Sequence, residues 1–188
     1  MGDKTRCPWA QKPLDILYHD QEWGVPLTDE HKLFEYLILE GAQAGLSWST
    51  VLQRREAYRE LYDHFDPAIV AKYSDKKVNH LLQDERLIRN KLKIKASVKN
   101  AIAFIKTQKE FGSFSNYLWQ YVNHQPLINQ WERPEQVPNE TDMSSRLSRD
   151  LKKRGFSFVG PTICYSLMQA TGLVNDHLTT CFRHSELK

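Results

Sequence analysis

Two types of good zinc ligand, cysteine and histidine, fall in pairs at opposite ends of this chain: Cys7 with His19, and His177 with Cys181. His177 and Cys181 are four positions apart, so on a helical turn their side chains point the same way. Tetrahedral closure needs two more ligands, and Cys7 and His19 are of the right types. The C-x11-H and H-x3-C spacings are not those of a standard zinc finger, and by spacing alone the set reads more readily as buried thiols and ordinary histidines. Asp176 and His184 are spare ligands, while Cys164, in the apolar run Ile163-Cys164-Tyr165, reads as core.

A second chemistry belongs to the stretch from Leu151 to Cys181. A polar helix ends at Leu151-Lys152-Lys153-Arg154, and a tight hairpin follows over Gly155-Phe156-Ser157-Phe158-Val159-Gly160. Pro161 then opens a helix running through Ile163, Leu167 and Ala170, and Gly172 suits its far end, where the chain leaves through a left-handed residue. A helix N-terminus behind a glycine turns backbone N–H groups outward with a partial positive charge, as an anion requires. With Arg154, Lys153 and Lys152 upstream, this is the chemistry of a phosphate site, and equally the form of an ordinary helix–turn–helix connection. Lys91, Lys95 and Lys99 recur every four residues, which a phosphate stripe or, more simply, a solvated helix face would produce. Glu40 falls beside Leu33 and Leu37, on the edge of an apolar helix face. Tyr18 and Trp48 supply aromatic surface, and pockets for an extrahelical base combine stacking with a few polar groups that read base edges. A helix-end glutamate turned to solvent is the plainer alternative.

Four stretches share a family likeness: Tyr18-His19-Asp20-Gln21-Glu22-Trp23-Gly24-Val25-Pro26, Leu39-Glu40-Gly41-Ala42-Gln43-Ala44-Gly45-Leu46-Ser47-Trp48, the hairpin Phe156 to Gly160, and Val174-Asn175-Asp176-His177. In order and spacing, from Cys7 to about Cys181, the chain resembles the 3-methyladenine DNA glycosylase I family of helix-hairpin-helix DNA glycosylases. The resemblance implies an all-α helix-hairpin-helix fold with a base pocket between helical lobes. It implies an enzyme that hydrolyses the N-glycosidic bond of 3-methyladenine in alkylated duplex DNA and releases the free base. It implies a structural zinc on Cys7, His19, His177 and Cys181, joining the termini with no coordination position open to water. Tyr18, Glu40 and Trp48 become the base pocket, with Glu40 the candidate for any catalytic role. Gly45 and Leu46 become a wedge entering the duplex where the flipped nucleotide has left. Gly155, Phe158, Gly160 and Arg154 become the hairpin's DNA contacts.

Three positions depart from the pattern. Asn175 stands where the superfamily's V-D-x-H segment carries a catalytic Asp, which fits a damaged base that is already a good leaving group. Thr162 stands where bifunctional members carry a Schiff-base Lys, implying an enzyme without strand-cleaving activity. Asp15 stands where some members carry an aromatic, altering one wall of the expected pocket. The alternatives from other classes are a non-enzymatic hairpin module that binds distorted DNA, for which Asn175 is the best argument, and a zinc hydrolase using Glu40 as base, which needs an open metal position.

The elements that must position these residues read as helices, because apolar residues recur mostly at helical spacing. Helices are expected from about Asp29 to Gly41, from Trp48 to about Tyr62 behind Ser47, from Pro67 to Lys72 behind Asp66, and after Ser74-Asp75. Asn90 caps a longer one with Leu92, Ile94, Ala101, Ile102 and Ile105 inward, Ser113 or Ser115 starts the next, and Asp142 or Ser144 caps the helix leading to the hairpin. Gln125 to Asn139, with three prolines, reads as loop. At 188 residues the chain is expected to be one glycosylase domain over 1–188, with the hairpin motif at about 144–171 and termini of about 1–28 and 172–188 joined by zinc. The net charge of +3 permits a nucleic-acid partner without demanding one. No apolar run is long enough to span a bilayer, Met1 to Arg6 lacks the apolar segment of a signal peptide, and the odd count of three cysteines shows no disulfide framework. The expectation is a cytoplasmic monomer with no membrane partner.

Overall fold

Short polar side chains set where most helices begin. The computed structural model describes residues 4–187, so the expectation about Met1-Gly2-Asp3 lies outside the described residues. α1 (Pro13–Gln21) opens on a proline. α2 (Glu30–Gln43) starts behind Asp29, α3 (Trp48–Leu61) behind Ser47, α4 (Pro67–Val70) behind Asp66 and α5 (Asp75–Gln83) behind Ser74. α6 (Lys91–Phe111) starts behind Asn90 and α7 (Phe114–Trp119) behind Ser113, each cap accepting from a first-turn N–H. The next start differs by one residue from expectation. Thr141, not Asp142 or Ser144, caps α8 (Asp142–Lys153), and Ser144 closes a capping box by accepting from the Thr141 N–H. α9 (Pro161–Ala170) follows the hairpin, and α10 (Phe182–Glu186) ends the described chain.

The fold is mostly helical but not purely so. Within the expected loop, β1 (Leu127–Ile128) pairs in parallel with β2 (Val174–Asn175), Leu127 facing Val174 and Ile128 facing Asn175. A two-residue ladder is too short to show an alternating pattern, which is why an all-helical reading overlooks it.

α2 is the central element. Every residue from Leu33 to Ala42 is buried, where a single apolar face was expected, because α3, α6, α7 and α9 pack around it. That encirclement carries Glu40 inside. α6 keeps Ile94 and Ala101 inward but turns Leu92 (70 % exposed) and Ile102 (42 %) to solvent. Lys91, Lys95 and Lys99 lie exposed on it, as a solvated face would. Tyr18 is buried, whereas Trp9, Leu14 and Leu17 of the same N-terminal stretch are substantially exposed. Gly172 (φ +72°) does more than end α9: a Cβ there would lie 2.4 Å from the backbone of Val25 and Pro26, so the N-terminal strap crosses directly over it. Among the described residues, no helix is long and apolar enough to cross a membrane.

Candidate active site and metal centre

Four separate pieces of chain deliver the cysteines and histidines. Cys7 precedes α1, His19 lies in its last turn, His177 follows β2 and Cys181 immediately precedes α10. All four are buried, and their ligand atoms lie within 4.8 Å of one another. Tetrahedral zinc bonds of about 2.0–2.3 Å place ligand atoms roughly 3.3–3.8 Å apart. Cys7 Sγ is 3.7 Å from His177 Nδ1, while Cys181 Sγ is 3.5 Å from His177 Nδ1 and 3.4 Å from His19 Nε2.

The outer hydrogen bonds orient both imidazoles. His177 Nε2–H donates to the Trp23 carbonyl (2.9 Å), which can only accept, so Nδ1 presents its lone pair to the sulfurs. His19 Nδ1–H donates to Asp20 (2.8 Å), itself held by Arg6, leaving Nε2 facing inward. The Leu178 N–H donates to Cys7 Sγ (3.4 Å), as backbone amides do to thiolates. Without a cation the pair shares one ionisation: the hydrogen bond to Cys181 and burial push the Cys7 thiol up, and the same bond, with both imidazoles, pulls Cys181 down. This donor set fits a four-coordinate metal. The spare candidates are elsewhere, with His184 Nε2–H donating to the Asn129 carbonyl and both Asp176 oxygens taken up by other partners.

Against this cluster lies a cavity of about 350 Å³, lined by Cys7, Trp9, Tyr18, Glu40, Trp48, Asp176 and their neighbours. The sequence-selected trio Tyr18, Glu40 and Trp48 thus comes together from α1, α2 and the start of α3, with the Tyr18 and Trp48 rings 5.2 Å apart. Glu40 is 4 % exposed and has no hydrogen-bond partner among the described residues. Burial alone pushes its pKa up to about 8. The Trp48 Nε1–H is also buried without an acceptor. A buried acid and a buried donor, both unpaired at one cavity, mark a place for a polar, flat guest.

Asp15 is not part of this wall. It is buried and accepts the Ser49 hydroxyl at 2.7 Å, tying α1 to the first turn of α3. Sequence reasoning left out Trp9, Gln43, Ser166, Gln169 and Asp176 from the cavity. Gln43 was findable, since it lies three residues after Glu40 on the same helix face. Asp176 is 2 % exposed and fully occupied: Oδ1 accepts from Asn129 and Trp131, Oδ2 from Tyr165 and Gln169. Its partners come from the loop and from α9, a convergence that no local pattern reveals. Asn175 is buried, donating to the His184 carbonyl while accepting from the His177 N–H.

The loop at the C-terminal end of α2 holds Gly45 (φ +81°) and an exposed Leu46. The hairpin between α8 and α9 has Gly155 at φ +96° and Phe158 at φ +57°. Gly160 caps α9 with open space where a Cβ would stand. Arg154 is committed inward, donating to Asp150 and Glu110 at 2.7 Å and lying over Phe111 and Tyr117. Lys152 and Lys153 therefore carry the charge that faces solvent there.

The profile of the methyladenine glycosylase family matches residues 9–184. The chain is 51 % identical to DNA-3-methyladenine glycosylase 1 of Escherichia coli strain K12, covering 94 % of this chain and 95 % of that one. A crystal structure of 3-methyladenine DNA glycosylase I superposes with a TM-score of 0.92 at 51 % identity, over 95 % of this chain and 98 % of the other. A substituted 3-methyladenine DNA glycosylase I in complex with 3-methyladenine superposes at 0.91 with 36 % identity, over 94 % and 96 %. On sequence and fold together, the chain belongs to the methyladenine glycosylase family.

Proposed function

We propose that this protein excises 3-methyladenine from alkylated duplex DNA by hydrolysing the N-glycosidic bond. The observation that carries the reading is the buried, unpartnered Glu40 facing a cavity walled by Tyr18 and Trp48. An extrahelical 3-methyladenine is flat, cationic and equipped with an amino donor, so aromatic faces and a carboxylate complement it. The good leaving group removes the need for a strong base, and Asn175, tied to backbone partners, provides none. Two neighbouring readings lose support here. A binding module needs no buried acid, and a four-ligand metal centre leaves a zinc hydrolase no open position.

Cys7, His19, His177 and Cys181 would hold a structural zinc, fastening the N-terminal strap to the segment after β2. Helix-hairpin-helix contacts to DNA would come from the hairpin's backbone N–H groups, with Gly155, Phe158 and Gly160 shaping the turn, Arg154 bracing its base, and Gly45 and Leu46 entering the duplex. The three free cysteines suit a reducing cytoplasm, and the proposed working unit is the monomer.

Incubation with alkylated duplex should release free 3-methyladenine and leave an intact strand with an abasic site. With Thr162 in place of a lysine, no amine attacks the sugar C1′, so borohydride should trap no covalent complex. A trapped adduct above background would contradict the monofunctional assignment, and absence of base release would defeat the reading itself.

Gly160→Val probes the hairpin. A valine there has open space and an ordinary φ of −64°, so the fold should lose no more than about 1 kcal/mol from poorer capping. The bulk instead stands where a phosphate must approach backbone N–H groups, and affinity for abasic duplex should drop about tenfold or more, as loss of one charge-assisted hydrogen bond would give. A folded variant binding as tightly as wild type would remove the hairpin as anchor.

A further inference from the structure

α6 runs behind both loops that the proposed function places on DNA, and it grips each through a polar side chain. In its first turn, Lys93 donates to the carbonyls of Ala42 (2.8 Å) and Ala44 (2.7 Å), the latter immediately before Gly45. Seven residues on, and so on the same face, Asn100 is 3 % exposed. Its amide donates to the Ser157 carbonyl (3.0 Å) while its side-chain oxygen accepts from the Ser157 N–H (2.8 Å). That two-way pairing holds the hairpin immediately before Phe158, a non-glycine residue at φ +57°. A left-handed conformation costs such a residue about 1–2 kcal/mol, and a fixed neighbour is what keeps it there. The hairpin also packs on the last turn of α2, close to where the wedge loop leaves it: a Cβ on Gly41 would lie 3.3 Å from that of Phe158.

We propose that Lys93 and Asn100 are positioning residues for nucleotide flipping, fixing the Gly45-Leu46 wedge and the hairpin on one rigid helix. Two turns of helix separate the anchors by about 10 Å. Insertion of Leu46 and the hairpin's hold on phosphates then occur in one register on the same duplex. An ordinary lysine cap on the end of α2 would stabilise the fold without this coupling. The inference rests on the DNA-contact reading of the two loops given above.

The test uses full-length protein, alkylated duplex for single-turnover excision, and duplex with 2-aminopurine beside the target to report flipping. Lys93→Met should slow excision at saturating enzyme by about tenfold to a hundredfold, the scale of a displaced positioning element, and reduce the flipping signal. Its affinity for free 3-methyladenine should stay at the wild-type value. Lys93→Arg, whose fork reaches two carbonyls, should recover most of the rate. Asn100→Asp, which keeps the acceptor and loses the donor, should reproduce the flipping defect. Wild-type excision in both Lys93→Met and Asn100→Asp would overturn the proposal, as would parallel loss of free-base affinity, which would show a merely structural effect on α2. Leu46→Ala and Gly160→Val separate the two levels. If both behave as wild type, the DNA-contact reading fails and the proposal with it; if both are impaired while Lys93→Met is not, only the positioning role fails.

Discussion

Protein purified without chelator should contain one zinc per chain, and removing it should lower the melting temperature by roughly 8–16 °C. A ligand bound at a thousand times its Kd stabilises the folded state by about 4 kcal/mol, and each kcal/mol moves the midpoint of a domain this size by about 2–4 °C. The expectation follows from how the cluster is built. Two thiols and two imidazoles are buried within 4.8 Å, with each imidazole's outer nitrogen already donating elsewhere. In the unfolded chain the Cys7–His19 and His177–Cys181 pairs lie far apart in sequence, so metal binding and closure of the ends are one event. Cys181→Ser should melt low and retain less metal. Because Cys7 and Leu178 also line the cavity, the stripped protein should lose affinity for 3-methyladenine as well. Elemental analysis finding no metal in folded, carefully purified protein would defeat this.

What could be read from sequence divides by the range of the interaction. Caps are local: Asp29, Ser47, Asp66, Ser74, Asn90 and Ser113 each accept from N–H groups within three residues, and each was readable as a helix start. Asp142 or Ser144 reads as the cap of α8 because several capping residues stand close together there, and only the reciprocal bond to Ser144 singles out Thr141. The outward turn of Leu92 and Ile102 depends on which elements pack against α6, and a long helix has more apolar residues than one face can hold. β1 and β2 meet over a separation of some fifty residues, and pairing at that distance leaves no local trace.

The site divides in the same way. Tyr18, Glu40, Trp48 and the cysteine and histidine set Cys7, His19, His177 and Cys181 stand out through family likeness, since their spacing alone leaves plainer readings open. The degree of Glu40 burial is not legible in the sequence, because it depends on α3, α6, α7 and α9 enclosing α2 from Leu33 to Ala42. From sequence Asp176 reads only as a spare ligand, because its four hydrogen bonds come from side chains in the loop after β1 and on α9.

Replacing Glu40 by glutamine should weaken binding of free 3-methyladenine about tenfold or more at pH 9, by a margin that narrows towards pH 7. A hydrogen bond to an ionised group contributes about 1.5–3 kcal/mol, and each 1.4 kcal/mol is a factor of ten in affinity. Glutamine keeps the size and one acceptor but neither the charge nor its response to pH. In the free protein, burial raises the Glu40 pKa to about 8, so at pH 7 the protonated acid predominates. A guest that needs the ionised form then binds with its intrinsic affinity reduced in proportion to the ionised fraction. Between pH 7 and pH 9 the competent fraction rises about tenfold around that pKa, and wild-type affinity should rise with it relative to Glu40→Gln. Taking the ratio of the two proteins at each pH cancels any titration of the base itself. The sign for the empty fold is opposite. An acid whose folded pKa exceeds its unfolded value of 4.5 loses stability as pH climbs from there towards 8, so Glu40→Gln should melt at or above wild type at pH 9. Titration calorimetry and melting across this pH range measure both effects. Equal affinities at every pH in two folded proteins would take Glu40 out of base recognition, and a flat ratio would show that its proton is not what the base displaces.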